Sequence, residues 1–164
     1  VSGLTITGAD FGNYSLSQPT TSASILAWNA QGSGFYQPVG VPNSVFVAAP
    51  GTPPASTSST IWNVAKGGST IPLKFNVFAG TVEKTSTSDI SAFTAVKLSA
   101  CSAGASMEDV EFVTTGSTTL RYDLTDGQFV QNWQTPRVNG EACYRATVTF
   151  ADGSSLSAFF RLRK

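Results

Sequence analysis

Alternation of apolar and polar residues is clearest in Leu120-Arg-Tyr-Asp-Leu-Thr-Asp-Gly-Gln-Phe-Val-Gln-Asn-Trp133, on both sides of the Asp126-Gly127 pair. The same pattern surrounds Asp152-Gly153 in Cys143-Tyr-Arg-Ala-Thr-Val-Thr-Phe-Ala-Asp-Gly-Ser-Ser-Leu-Ser-Ala-Phe-Phe160. Asp-Gly pairs accept the positive φ angles of a type I′ turn, so two alternating strands joined by such a pair are a strong hairpin signal. The two stretches therefore predict consecutive β-hairpins and an antiparallel β fold.

The predicted last strand has one apolar face and one polar face. Its apolar residues, which we expect to point inward, are Leu156, Ala158, Phe160 and Leu162. Its polar residues, which we expect to point outward, are Ser155, Ser157, Arg161 and Arg163. A strand of this kind packs one face on a core and turns the other toward solvent.

Earlier strands follow the same alternation. One is predicted from the apolar residues Ile71, Leu73, Phe75 and Val77. Pro72 lies within it and has no N–H to donate, so we expect this strand at a sheet edge, or starting beside one. Val96-Lys-Leu98 and Val110-Glu-Phe112 are expected to be half-buried strands. About seven to nine short strands, with no clean helical period, predict an all-β, antiparallel, immunoglobulin-like sandwich over residues 61–164.

Residues 1–27 are predicted to form an extra N-terminal strand segment. Leu4–Thr7 and Ser22–Ala27 have the pattern of short strands, with a turn and a further short strand at Tyr14–Ser17 between them. Three short strands do not normally bury enough surface to fold alone. We expect this segment either to dock on the sandwich or to pair with another copy of the chain.

Residues 28–60 are predicted to be a linker or an extended loop. They begin with an aromatic group formed by Trp28, Phe35 and Tyr36, and they end in Ala48–Ser59, which is rich in Pro, Ser and Thr. That composition is typical of linkers and surface loops.

Composition excludes several classes of function. The chain has 164 residues with ten basic and ten acidic side chains, so no overall field attracts nucleic acid or an anionic membrane. No apolar run approaches the about 20 residues that cross a bilayer. Histidine is absent, which removes the commonest general base and zinc ligand. We expect no enzyme activity, no cofactor and no metal site.

Cys101 and Cys143 form an even pair without metal-binding spacing. We expect a disulfide, with two free thiols as the alternative, and a disulfide implies an oxidising compartment. Closing a loop of about 40 residues stabilises a fold by about 3–4 kcal/mol in the chain-entropy model. Cys143 is out of phase with the apolar residues of its strand, so the bridge is expected to tie the strand's beginning to a neighbouring strand or loop.

Residues 61–162 resemble the PxKF-type module, whose Pro-x-Lys-Phe motif stands here as Pro72-Leu-Lys-Phe75. Leu120-Arg-Tyr-Asp123, Phe129-Val-Gln-Asn-Trp-Gln-Thr-Pro136 and Cys143-Tyr144 follow in the order that the family uses. The resemblance implies an immunoglobulin-like sandwich from the C-terminal part of a large secreted or surface-exposed bacterial protein. It supplies no catalytic residue.

A second resemblance concerns Gly3-Leu-Thr-Ile-Thr-Gly-Ala-Asp-Phe-Gly-Asn-Tyr-Ser-Leu16. This stretch is similar to the last strands of the repeated immunoglobulin-like units of bacterial adhesins. It lacks the earlier strands of such a unit. The resemblance implies that the N-terminal segment is the end of a repeat or a strand donated to another copy.

The aromatic residues Trp28, Tyr36, Trp62 and Trp133 are the candidate ligand- or partner-binding residues, because flat rings stack on sugars. Core packing is the alternative for each.

Glu108-Asp-Val-Glu111 is interpreted as a solvated strand edge. Asp123 and Asp126 offer oxygen ligands for Ca²⁺, but a turn also explains them. Gly67-Gly68 lacks the strand-to-helix context of a phosphate loop, and the basic Arg161-Leu-Arg163-Lys164 is interpreted as a solvated chain end.

Two functions from different classes follow. The first is a non-catalytic structural or adhesive module of a bacterial surface protein or self-assembling fibre, with residues 1–27 added as a strand to another copy. The second is a carbohydrate-binding accessory module of a secreted polysaccharide-degrading enzyme, with a glycan as its partner. Both predict a secreted or cell-surface location, no nucleic-acid partner and no membrane insertion.

Overall fold

A computed structural model of the chain describes residues 4–17, 28–29, 34–39, 44–57, 60–101 and 119–164. The strands, in chain order, are β1 (Trp28–Asn29), β2 (Ser44–Val47), β3 (Trp62–Lys66), β4 (Thr70–Phe75), β5 (Val77–Ala79), β6 (Val82–Lys84), β7 (Ile90–Leu98), β8 (Leu120–Asp123), β9 (Gln128–Gln134), β10 (Glu141–Phe150) and β11 (Ser155–Arg163). The helical parts of the described chain are two 3-10 turns, at Phe11–Asn13 and Thr87–Asp89. The predicted strand around Val110 lies outside the described residues.

Three sheets make up the described fold. The large sheet has the order β2–β11–β10–β7, and β3 also pairs with β11, in parallel. The facing sheet has the order β4–β9–β8, and a small sheet has the order β1–β5–β6. All strand pairs except β3–β11 are antiparallel. The protein is an all-β, immunoglobulin-like antiparallel sandwich, as the sequence predicts.

The core lies between the large sheet and the facing sheet. Its fully buried members from the two predicted alternating strands are Leu73, Phe75, Val77, Leu156, Ala158, Phe160 and Leu162. Trp133 on β9 contacts Phe160 on β11 edge to face, with ring centroids 4.9 Å apart. Burying side chains of this size is the dominant stabilising contribution in a sandwich core.

Both predicted hairpins are present, but their turns are longer than a two-residue type I′ turn. Four residues separate Asp123 from Gln128, and four separate Phe150 from Ser155. Aspartate side chains close both turns: Asp123 Oδ1 accepts the N–H of Thr125 at 3.0 Å, and Asp152 Oδ1 accepts the N–H of Ser154 at 2.9 Å. The positive φ angles are at the glycines, 61° at Gly127 and 87° at Gly153.

Pro72 lies in an edge strand, as predicted. β4 is the outer strand of the facing sheet, and β9 pairs with it on one side only. The Tyr36 N–H donates to the Lys74 carbonyl at 2.8 Å on the other side. Residues two apart in a strand direct their backbone groups to the same side. The backbone nitrogen of Pro72 therefore faces away from β9. Because of this orientation, the absence of a hydrogen on that nitrogen removes no hydrogen bond from the β4–β9 ladder.

Within residues 28–60, for which a linker or an extended loop is predicted, the described residues include two short strands and a buried aromatic side chain. β1 pairs with β5, and β2 pairs with β11 from Ser155 to Ala158. Phe35 is completely buried and packs edge to face on Phe75, with centroids 5.9 Å apart. The prolines and small polar residues of this stretch interrupt any strand-like alternation, so no local pattern indicates the few residues that make these contacts.

The outward face of β10 and β11 is covered, which corrects the expectation for Ser155 and Ser157. Both serines are buried, and the Ser157 hydroxyl lies 2.9 Å from the hydroxyl of Thr147. Arg145, on the same face, is only 7% exposed. Its Nη1 donates to the carbonyls of Pro53 at 3.2 Å and Pro54 at 2.8 Å. The proline-rich stretch therefore lies against this sheet face rather than in solvent.

The predicted N-terminal strands at Leu4–Thr7 and Tyr14–Ser17 do not form within the single chain. Residues 4–17 contain a 3-10 turn at Phe11–Asn13 and no strand. Every residue in this stretch except Ile6 is exposed. Strand conformation requires a pairing partner, and this stretch pairs with none of the described strands. The third predicted strand, Ser22–Ala27, lies outside the described residues.

Candidate functional site

Trp133 is part of the core and presents no ring to a ligand. The side chain is completely buried between Tyr144 and Phe160, with ring centroids at 6.0 Å and 4.9 Å. Its indole Nε1 has no hydrogen-bond partner, which is the cost of placing the ring fully inside. Core packing is therefore the role of this candidate.

Trp62 lies on the outward face of the large sheet, beside the disulfide. Its ring packs edge to face on Phe159, with centroids 5.6 Å apart, in a small cluster with Leu98 and Cys143. The Sγ atoms of Cys101 and Cys143 are 2.07 Å apart. The bridge joins the beginning of β10 to the segment that follows β7, on the face opposite the main core, as the phase of Cys143 predicts.

Trp28 and Tyr36 lie on other parts of the molecule. Trp28, on β1, is half-buried, with the Lys84 ammonium 5.0 Å from its ring centroid. Tyr36 bridges to the edge strand β4, and burial, followed by the charge of Glu83, raises the pKa of its phenol. The four predicted aromatics thus occupy the core, the outward face of the large sheet, the small sheet and the β4 edge. The structure does not bring them together as one flat platform.

The described residues contain no cluster of three or more metal-ligating side chains. Asp123 and Asp126 are occupied by their turn: Asp123 Oδ1 accepts two backbone N–H groups, and Asp126 Oδ2 accepts from Gln128 Nε2 at 3.0 Å. The turn explanation therefore accounts for both carboxylates. The other acidic candidates, within Glu108–Glu111, lie outside the described residues.

Among the described residues, the N-terminal stretch, residues 4–17, contains the most exposed large apolar side chains. Phe11 is 60% exposed and Tyr14 is 70% exposed, and Leu16 is also exposed. Three further exposed apolar residues, Val45, Ile61 and Val64, lie on or beside the edge strands β2 and β3 of the large sheet. Exposed apolar side chains that lie close together are typical of interaction sites, whereas isolated ones are normal on a protein surface.

The two ends of the sandwich differ in charge. The basic end is where β3 and β11 finish and β10 begins; its basic residues are Lys66, Arg137, Arg161, Arg163 and Lys164. The acidic end is where β10 turns into β11; its acidic residues are Glu83, Asp89, Asp123, Asp126 and Asp152. Lys84 accompanies them above Trp28. The balanced formal charge of the chain conceals this separation.

One carboxylate among the described residues, Glu141, lies at the basic end. Its oxygens contact Arg161 Nε and Nη2, each at 2.7 Å, and Arg163 Nε lies 3.7 Å away. The hydrogen bond from Arg161 lowers the pKa of Glu141. Lys66, Arg137 and Lys164 have no carboxylate among the described residues within ion-pair distance.

A cleft of about 530 Å³ opens at the basic end. Its lining residues are Lys66, Gly67, Gly68, Ser69, Arg137, Val138, Asn139 and Lys164. The glycine pair and the basic chain end are far apart in the sequence, and no local pattern distinguishes Arg137. Their juxtaposition depends on the parallel pairing of β3 with β11, which no local pattern indicates.

No family model and no curated protein matches the chain. The resemblances to the PxKF-type module and to adhesin repeats therefore stay predictions. Among the described residues, no helix is long and apolar enough to span a membrane.

Proposed function

We propose that this protein is a non-catalytic structural and adhesive module of a secreted or surface-exposed bacterial protein, and that it self-associates through its N-terminal stretch. The resemblances to PxKF-type modules and adhesin repeats support this proposal. The disulfide supports an oxidising location outside the cytoplasm. The described site residues include no metal-ligating cluster, and the chain has no histidine.

The observation that carries the proposal is the exposure of residues 4–17. The rings of Phe11 and Tyr14 are more than half exposed to water. Covering them with another apolar surface is favourable, because it removes apolar area from water. An extended segment of this kind gains both apolar burial and backbone hydrogen bonds when it is added to a sheet edge. Residues 4–17 are therefore the proposed donor.

The proposed acceptor is the β3 edge of the large sheet in a second copy. Val64 on β3 is 58% exposed, and Ile61, just before β3, is 48% exposed. A groove of about 140 Å³ runs beside them, between β3 and β4, with an apolar lining that includes Val39 and Ile71. The only charged residue of the donor is Asp10 and that of β3 is Lys66, so the two segments have complementary charge. Repetition of this head-to-tail contact produces a fibre.

The test is concentration-dependent assembly of the 164-residue chain, measured by sedimentation velocity and electron microscopy. We expect the parent to form oligomers, and we expect Phe11→Ser with Tyr14→Ser to weaken assembly at least tenfold, because the substitutions remove apolar area from the contact. Leu124→Ser is the matched control, since Leu124 is equally apolar and 88% exposed in the β8–β9 turn.

The acceptor is tested by Val64→Lys, which places a like charge beside Lys66 and a polar group in the groove. This variant is expected to be as deficient in assembly as the donor variant while remaining folded. A parent that stays monomeric at every concentration, or a control that loses assembly equally, contradicts the proposal.

A further inference from the structure

The cleft at the basic end is built by close contact between two turns. Gly67 and Gly68 connect β3 to β4, and their N–H groups donate to the carbonyls of Arg163 at 2.7 Å and Pro136 at 3.0 Å. A Cβ on Gly68 would come within 2.9 Å of Arg137 Cγ, and its φ of 84° also disfavours a side chain. The glycine pair therefore lets the Arg137 segment approach and form the opposite wall.

The backbone amides of the turn between β3 and β4 are already used. Gly67, Gly68 and Ser69 all donate their N–H groups to protein carbonyls, and the Ser69 hydroxyl donates to the Lys66 carbonyl at 2.6 Å. The turn thus has no amide nest for a phosphate, in agreement with the sequence analysis. Recognition of a ligand by this cleft depends on its side chains.

Three cations supply that recognition. Lys66, Arg137 and Lys164 line the cleft and are exposed, and none lies within ion-pair distance of a carboxylate among the described residues. Asn139 adds an amide to the rim, and Val138 adds an aliphatic surface. Cations that converge on a concave surface focus a positive potential there, and an arginine fork binds carboxylate or sulfate groups through two parallel hydrogen bonds.

We propose that this cleft binds acidic polysaccharide chains through their carboxylate or sulfate groups. A volume of about 530 Å³ is within the range of small-ligand sites and accommodates sugar rings. Exposed single charges bind a free ion weakly in water. A polymer overcomes this weakness because it contacts the cleft and the adjacent Arg163 together, so that the individual contacts add. The proposal goes beyond the self-association described above and does not depend on it.

The experiment measures binding of the 164-residue chain to polygalacturonate, a carboxylate polymer, and to dextran sulfate, with neutral dextran as the reference. Affinity electrophoresis gives the apparent Kd at low and physiological salt. We expect binding to at least one acidic polymer, none to dextran, and weaker binding as salt screens the charges.

Variants of the cleft sharpen the test. Lys66→Ala with Arg137→Ala is expected to weaken binding at least tenfold, and Arg137→Lys in the parent background is expected to retain more affinity than Arg137→Ala because it keeps the charge. Arg121→Ala is the matched control: it removes one exposed arginine on β8, outside the cleft, and is expected to change affinity less than twofold. All substituted residues are exposed, so circular dichroism and the thermal midpoint should not change.

Five results overturn the proposal. The first four are no binding to either acidic polymer, equal loss in the Arg121 control, equal binding to neutral dextran, and displacement by inorganic sulfate or phosphate beyond the effect of sodium chloride at the same ionic strength. The fourth result assigns the cleft to a free anion. The fifth result concerns self-association: the parent forms oligomers, the Arg137→Ala variant does not, and acidic polymers do not dissociate the parent oligomers. That result assigns the cleft to the acidic end of a second copy.

Discussion

Residues 4–17 and the described residues between 34 and 57 both carry aromatic side chains, and their structures differ. The first stretch is rich in Gly, Ser and Thr, and the second is richer in Val, Ala and Pro. In the first, Phe11 is exposed and no strand forms. In the second, Phe35 is completely buried, β2 pairs with β11, and the prolines lie on Arg145. Contacts with distant strands separate these outcomes.

The difference shows what integrates a weakly patterned segment into a sandwich. Phe35 fills a site against Phe75, and Tyr36 completes the edge of β4 with one backbone hydrogen bond of 2.8 Å. A few such anchors offset the conformational entropy of the residues between them. Residues 4–17 have no comparable buried side chain, so their own chain supplies nothing to offset that entropy.

The largest expected effect is on the aromatic anchors. Phe35→Ala should lower the free energy of unfolding by about 3–5 kcal/mol, because it removes a fully buried ring and leaves a cavity. Phe11→Ala, the same substitution at an exposed site, should change it by less than about 0.5 kcal/mol. Urea denaturation with tryptophan fluorescence measures both. Equal losses of stability in the two variants would contradict the difference between the buried Phe35 ring and the exposed Phe11 ring.

A smaller effect is expected at Arg145, which holds the proline-rich stretch on the sheet. Burial lowers the pKa of this guanidinium, and its Nε has no hydrogen-bond partner. Arg145→Ala should cost about 1–3 kcal/mol, because it removes two hydrogen bonds and the packing of the stem.

The matched variants separate charge from packing at this position. Arg145→Met keeps an apolar stem without a buried charge, so it should be more stable than Arg145→Ala. Limited proteolysis should cut residues 48–57 faster in the alanine variant than in the parent. A protein that loses no stability and gains no cleavage site on Arg145→Ala would show that other contacts hold this stretch.

The smallest expected effect is on the alkaline side of the pH–stability curve. Burial, and then Glu83, raises the pKa of Tyr36 above its ordinary value of 10.0, so the folded state favours the neutral phenol. This contribution is fully present below pH 10 and is lost as the pH rises through the higher pKa of the folded state. Tyr36→Phe should therefore reduce the loss of stability between neutral pH and pH 11.

Tyr14→Phe serves as the comparison for Tyr36→Phe, because the Tyr14 side chain is 70% exposed. Thermal midpoints measured across this pH range check the difference. A curve for Tyr36→Phe that follows the parent, or one that Tyr14→Phe reproduces, removes Tyr36 from the explanation.

Most of the sandwich could be predicted because its strands carry their own signal. The alternation in β4 and β11 identified their inward-facing residues correctly, since a two-residue period places every second side chain on the same face. It did not indicate that Ser155 and Ser157, on the other face of β11, are buried as well. The turns were predicted in position but not in length. Asp123 and Asp152 accept backbone N–H groups of their own turns, and this side-chain closure favours four residues over two.

The candidate sites were less predictable. Four aromatics were selected by residue type, and only the fold reveals that Trp133 is inside and that Trp28 and Trp62 lie on different sheets. The basic cleft was missed because its cations come from three separate parts of the chain. Local sequence encodes the face on which a residue lies within its strand, and it does not encode which distant strand lies beside it.

The sequence by itself determined the all-β class, the positions of the two hairpins, the inward faces of β4 and β11, and the pairing of Cys101 with Cys143. The first three follow from a local period or a turn residue, and the disulfide follows because each of the two cysteines has a single possible partner. Only the tertiary structure decided that the proline-rich stretch covers the large sheet, that residues 4–17 are exposed, and that opposite charges collect at opposite ends. These features depend on contacts between residues distant in sequence, whose free energies are set by the packed fold.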